Sequence, residues 1–117
     1  MGDENRERLV ECGVDYDGAM ERFVGRTDLY LRLAKKFTDD SSYQDMLKAI
    51  EQKDVEAAFH HAHTLKGLCA NLSFAKLHQE CSVLVDCLRN DSLADISEPL
   101  ECVKKTYQKL ITVLKQL

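Results

Sequence analysis

Three residues in the stretch HHAHTLKGLCANL, residues 60–72, have the types and spacing to do chemistry together: His63, then Lys66, then Gly67. On a helix, side chains three and four positions apart fall on the same side. An imidazole exposed to water titrates near about 6.5, so near neutral pH it is mostly an uncharged nucleophile that needs no activating base. If His63 takes up a phosphoryl group, the new negative charge lies near Lys66, whose flexible stem can follow and neutralise it. Gly67 costs a helix up to about 1 kcal/mol relative to alanine. Close approach of another body, made possible by the missing Cβ, is the natural gain. Ala70, three positions further on, extends the same bare strip.

These residues need a helix to hold them, and hydrophobic spacing predicts one from an Asp54 cap to about Leu72. Val55, Ala58, Phe59, Ala62, Leu65, Cys69 and Leu72 form its apolar face. A turn of about 100° per residue centres that face near Ala62, Leu65 and Cys69 and leaves His63 well off it, toward solvent. The surrounding segments read as helices too. A short N-terminal piece spans about Arg6 to Cys12. DYDGAMERFV has Asp15 as cap and Gly25 as stop, and TDLYLRLAKKF has Thr27 as cap with Leu29, Tyr30, Leu33, Ala34 and Phe37 on one stripe. SSYQDMLKAIEQ opens at Ser41 or Ser42. Ser73 is the expected cap of FAKLHQECSVLVDCLRN, whose Phe74, Leu77, Cys81, Leu84, Val85 and Leu88 make a seam, and the last helix runs from about Ser97 to Leu117 with Pro99 in its first turn. No alternating strand pattern occurs. Short connections between long helices predict an all-α fold, an up-and-down antiparallel four-helix bundle with short additional N-terminal helices, over one domain, 1–117.

Composition narrows the functions. The 117 residues, 44% apolar and 31% charged with one proline, are those of a folded globular chain. A formal charge of −4 and the absence of a basic block argue against a nucleic-acid or anionic-membrane partner. The N-terminus MGDENRERLV lacks the apolar run of a signal peptide, so a cytoplasmic location is expected. A chain opening at Met1 without a linker reads as a stand-alone protein, although a domain cut from a larger protein would read the same way. Five cysteines with no C-x-x-C pair, Cys12, Cys69, Cys81, Cys87 and Cys102, read as reduced core fillers, with Cys69, Cys81 and Cys102 among apolar positions. Neither G-x-x-x-x-G-K-[ST] nor G-x-G-x-x-G is present, so the chain has no nucleotide loop of its own.

AHTLKGLCANLS, residues 62–73, resembles the signature of the histidine-containing phosphotransfer (HPt) domain, whose core pattern is H-x-x-K-G, and GVDYDGAMERFVGRTDLYLRLAKKF, residues 13–37, is similar to that family's N-terminal half. The resemblance implies a four-helix bundle in which His63 is the phospho-accepting residue and Lys66 and Gly67 match the motif's lysine and glycine. It also implies partners: receiver domains of response regulators, whose phospho-aspartate exchanges its phosphoryl group with the histidine, and a sensor histidine kinase. No cofactor is expected on this chain, with any magnesium belonging to the receiver. Two departures stand out. The family often has glycine where this chain has Ser73, read here as a substituted helix cap. Some members place a polar residue of the following helix against the imidazole, and here His78 and Ser82 are the candidates, with Val85 on the same side.

Other readings of the same residues stay open. Gly67 could serve close packing inside the bundle. Lys66 could be a snorkelling lysine, and His60 and His61 read as bystanders. Glu56, His60 and His63 share one side of the helix and could offer ligands to zinc, although the inward Glu-x-x-His pairs of di-iron bundles are missing. A bundle that docks without accepting phosphate is the third reading. Docking is expected around Gly67 and Ala70 with Lys76 and Gln79 of the next helix.

Overall fold

The computed structural model describes residues 2–90 and 92–117, with side chains from Glu4 onward. Among the described residues seven α-helices follow one another: α1 (Gly2–Glu11), α2 (Tyr16–Arg22), α3 (Thr27–Lys36), α4 (Ser42–Glu51), α5 (Val55–Asn71), α6 (Ala75–Arg89) and α7 (Ser97–Lys115), with a 3₁₀ turn at Phe37–Asp39 between α3 and α4. No strand occurs among the described residues, and no helix is long and apolar enough to cross a membrane.

Caps set several of the helix starts. The Asp15 carboxylate accepts from Gly18 N at 3.1 Å and the Asp54 carboxylate from Ala57 N at 3.1 Å, as their positions predict. Asp40 accepts from Ser42 N at 2.8 Å, while the Ser41 hydroxyl donates to Asp45 at 2.9 Å. Thr27 departs from expectation. It is the first residue of α3, after an Arg26 cap, and its hydroxyl points to the Met20 sulfur at 3.4 Å.

Four helix ends close in one way, with the chain turning left-handed one residue past the cap and two backbone N–H groups returning to the last turn. After α1 the left-handed residue is Gly13, with Gly13 N to Val10 O at 2.9 Å and Val14 N to Leu9 O at 3.1 Å. After α2 it is Val24, with Gly25 N reaching Met20 O at 2.7 Å; after α4 it is Lys53; after α5 it is Ser73, with Phe74 N reaching Cys69 O at 2.9 Å. Non-glycine residues in this region cost about 1–2 kcal/mol. Two expectations are thereby corrected. Ser73, at φ +60°, ends α5 and does not cap α6, whose N-cap is Phe74. The stop of α2 falls on Val24 one residue before Gly25.

α5 packs between α4 and α6, and α6 packs on α7. Ala58, Ala62, Leu65 and Cys69 of α5 meet Leu77, Cys81, Leu84, Val85 and Leu88 of α6 in the core, joined by Val103, Tyr107, Leu110 and Leu114 of α7. The rings of Tyr43 and Tyr107 stack at 3.6 Å, and Phe37 sits edge-on to Phe74. All five cysteines are free, but the filler reading holds in full only for the buried Cys69 and Cys81. Cys102 is exposed, and Cys12 and Cys87 are half-buried. Leu33, expected on the buried stripe of α3, is exposed at the rim of a groove with Phe23, Leu68 and Leu72.

Candidate functional site

Helical periodicity places Phe59, His63, Lys66 and Ala70 along the edge of α5 that runs beside α6. His63 is exposed, Lys66 is half-buried, and Gly67 is exposed. A Cβ built on Gly67 would meet nothing within 4 Å. Packing inside the protein therefore does not require this glycine, and the bare helix surface faces open space. Lys66 forms no ion pair among the described residues, so its ammonium is available to an incoming anion.

The His63 ring lies 6.1 Å from the Phe59 ring at a tilt of 32°, and the Arg89 guanidinium sits 6.0 Å over the other aromatic's centroid. Val55, Glu56, Phe59, Leu88 and Arg89 line a groove of about 470 Å³ leading away from His63 toward the start of α5. No side-chain hydrogen bond reaches His63 among the described residues. The Ser82 hydroxyl donates to the carbonyl of His78 on its own helix at 3.0 Å, and Val85 is fully buried. Neither serves as a partner for the imidazole. His78 lines a pocket with Asp15, Arg22 and Ala70, two helical turns from His63.

Among the described residues no three of His, Cys, Asp and Glu are grouped to hold a metal ion. The His60 ring turns edge-on to His61 at 5.5 Å while His63 turns to Phe59. The thiols offer no better nucleophile. The Cys81 side chain and burial push the Cys69 thiol above the usual cysteine range, and burial also raises Cys12.

One docking residue named from the sequence lies elsewhere. Lys76 opens α6 on its far side, packed on Gly13 and lining a groove with Cys102, Lys105 and Lys109 of α7, because its angle around α6 points toward α7. Gln79 is exposed.

Sequence reasoning missed how firmly the N-terminal helices hold the end of α5. The Arg22 guanidinium donates to Ala70 O at 2.6 Å, the Tyr30 hydroxyl donates to Leu72 O at 2.6 Å, and Asp15 N donates to Ser73 O at 2.8 Å. The Tyr30 bond occupies the carbonyl of the Leu72 cap, while Ala70 O accepts from Arg22 in addition to Ser73 N at 3.3 Å. The Tyr30 hydroxyl in an apolar stripe was the available signal; Arg22, 48 residues from Ala70 in sequence, gave none.

A family model described as the Hpt domain matches residues 38–116, about two thirds of the chain, which includes all of α4, α5, α6 and α7. Neither the comparison with curated proteins nor that with solved structures gives a match.

Proposed function

The chain belongs to the Hpt domain family, and from that premise we propose that it is a phosphoryl carrier of a two-component relay whose accepting residue is His63. Hpt domains act as phosphocarriers in phosphorelays rather than as enzymes that turn over a substrate. The observation that carries the assignment to His63 is its setting within the matched region. It is an exposed imidazole on a buried-faced helix, with a lysine three residues on that forms no ion pair among the described residues and open space over Gly67.

In the proposed reaction a neutral ring nitrogen of His63 attacks the phosphorus of a receiver domain's aspartyl phosphate. The P–N bond forms as the P–O bond to the aspartate breaks, and the carboxylate leaves. Run in reverse, the same step passes the group to another receiver. Lys66, one turn along the helix, offsets the charge that arrives on the imidazole. Gly67 and Ala70 let the receiver's surface lie close to the helix. We assign no magnesium to this chain; it belongs to the receiver. An up-and-down antiparallel bundle of α4 to α7 is the scaffold of this reading, and a cytoplasmic sensor histidine kinase pathway its setting.

The test is intact mass after incubation with phosphoramidate or a phosphorylated receiver domain. One phosphoryl group that is lost on brief acid treatment and never appears on His63→Gln is the expected result. The variant should fold normally, since an exposed side chain adds little stability. A phosphoryl group retained by His63→Gln would refute the assignment. No gain with any donor would turn the reading to a bundle that docks without accepting phosphate.

A further inference from the structure

Away from the His63 surface, a groove between α6 and α7 brings chemistry-bearing side chains together. It has a volume of about 430 Å³, and its lining includes Lys76, Glu80, Cys102, Lys105 and Lys109. On α7, Lys105 and Lys109 follow Cys102 by three and seven positions and so share one side of the helix, and Lys76 and Glu80 share a side of α6. The chain as a whole carries a formal charge of −4, yet here three ammonium groups gather around one carboxylate. None of the three lysines forms an ion pair among the described residues, Glu80 included. The neighbouring acids of α7, Glu98 and Glu101, do not line the groove.

One polar atom in this groove is left unsatisfied. Glu80 Oε1 is buried and has no hydrogen-bond partner, alone among the side-chain atoms of the described residues. A carboxylate oxygen shut off from water calls for an N–H donor, and the fold supplies none. Cys102, in the same groove, is the one exposed thiol: Cys69 and Cys81 are buried, and Cys12 and Cys87 are half-buried. Exposure beside ammonium groups is the setting in which a cysteine sulfur reacts. Cys12 feels the same Lys109 and Lys76, but burial outweighs them and pushes its thiol up.

We propose that Cys102 is a modification site that forms a mixed disulfide with a small zwitterionic peptide disulfide of the glutathione class. The peptide's carboxylates lie on Lys76, Lys105 and Lys109, and its ammonium or amide N–H groups reach the carboxylate of Glu80. In the step, Cys102 gives its proton to water and its thiolate attacks one sulfur of the incoming disulfide. The new S–S bond forms as the old one breaks, and the departing peptide thiolate takes up a proton. One disulfide is consumed for each one formed, so the peptide disulfide is the only oxidant required. Reduced peptide in excess runs the step backwards. The inference is independent of the carrier reading, because His63 takes no part in it.

The test follows the intact mass of the full chain during incubation with glutathione disulfide and, separately, with cystamine, a disulfide that carries ammonium groups and no carboxylate. Peptide fragmentation then locates the adduct. Wild type should gain one glutathionyl group, on Cys102. A variant with both Lys105→Gln and Lys109→Gln, at exposed positions, should react with glutathione disulfide at least about threefold more slowly and with cystamine no more slowly than wild type. Salt at about 0.5 M should erase that difference. An adduct on Cys12 or Cys87 in place of Cys102, or no adduct at all, would overturn the inference. A double variant that matches wild type with glutathione disulfide, or that slows both disulfides by one factor, would overturn it as well, since the lysines would then not be holding the peptide.

Discussion

At Gly13 the backbone turns to φ +86° and an added Cβ would collide with the side chain of Lys76, whereas at Gly67 the backbone is ordinary helix and an added Cβ would touch nothing within 4 Å. Gly13 is where two turns are zipped together, its carbonyl accepting from Lys76 N at 3.0 Å while Asp15 N bonds Ser73 O at 2.8 Å. The fold accounts for that glycine completely. Nothing in the fold accounts for the other, which destabilises its helix without an internal gain. A glycine with open space over it, one turn from an exposed imidazole, is where the carrier reading expects a partner to come close.

Substitution tests this contrast directly. Gly13→Ala should have the largest effect on stability, a loss of at least about 2 kcal/mol from left-handed strain and the Lys76 collision together, read by chemical denaturation. A loss under about 0.5 kcal/mol would show that the turn adjusts freely and would blur the contrast. Gly67→Ala should move the other way, gaining up to about 1 kcal/mol and a few degrees in melting temperature. Gly67→Gln should also fold at least as well as wild type while transferring to receivers more slowly, because its side chain occupies the approach. Unchanged transfer rates in Gly67→Gln would mean that the glycine has no role in docking. The smallest effect lies on the alkaline side. Burial, helped by Tyr43, pushes Tyr107 up from 10.0 to about 12, and burial raises Tyr30 as well. A phenol whose folded value is raised contributes stability that is fully present below 10.0 and lost as pH climbs toward about 12. Unfolding followed across that window should show the decline, and Tyr107→Phe should make it shallower, with Tyr30 accounting for part of what remains.

Much of this was legible in the chain. Apolar spacing located α5, α6 and α7, and the caps Asp15 and Asp54 act where their positions place them, because both signals are local. The exposure of His63 and Gly67 followed from helical angle alone. What failed was decided by partners distant in sequence. Cys102 fits an apolar spacing but falls on the outer side of α7, and Lys76 is drawn to Gly13 and the α7 groove. Ser73 has the chemistry of an N-cap, yet the backbone bonds from Phe74 to Cys69 and from Asp15 to Ser73 O place it in a left-handed helix end. The grip of Arg22 and Tyr30 on the end of α5 joins residues more than 40 positions apart, beyond the reach of any periodicity.

Four histidines offer themselves to a phosphoryl donor, and His60, one turn before His63, is exposed as well. Only His63 has a lysine three residues on and a glycine four residues on. The most direct measurement is therefore to charge the protein with a phosphorylated receiver domain, digest it at mildly alkaline pH where phosphohistidine survives, and locate the phosphoryl group by fragmentation of the peptides. The account predicts it on His63 alone; a phosphoryl group on His60, His61 or His78, or spread among them, would contradict it.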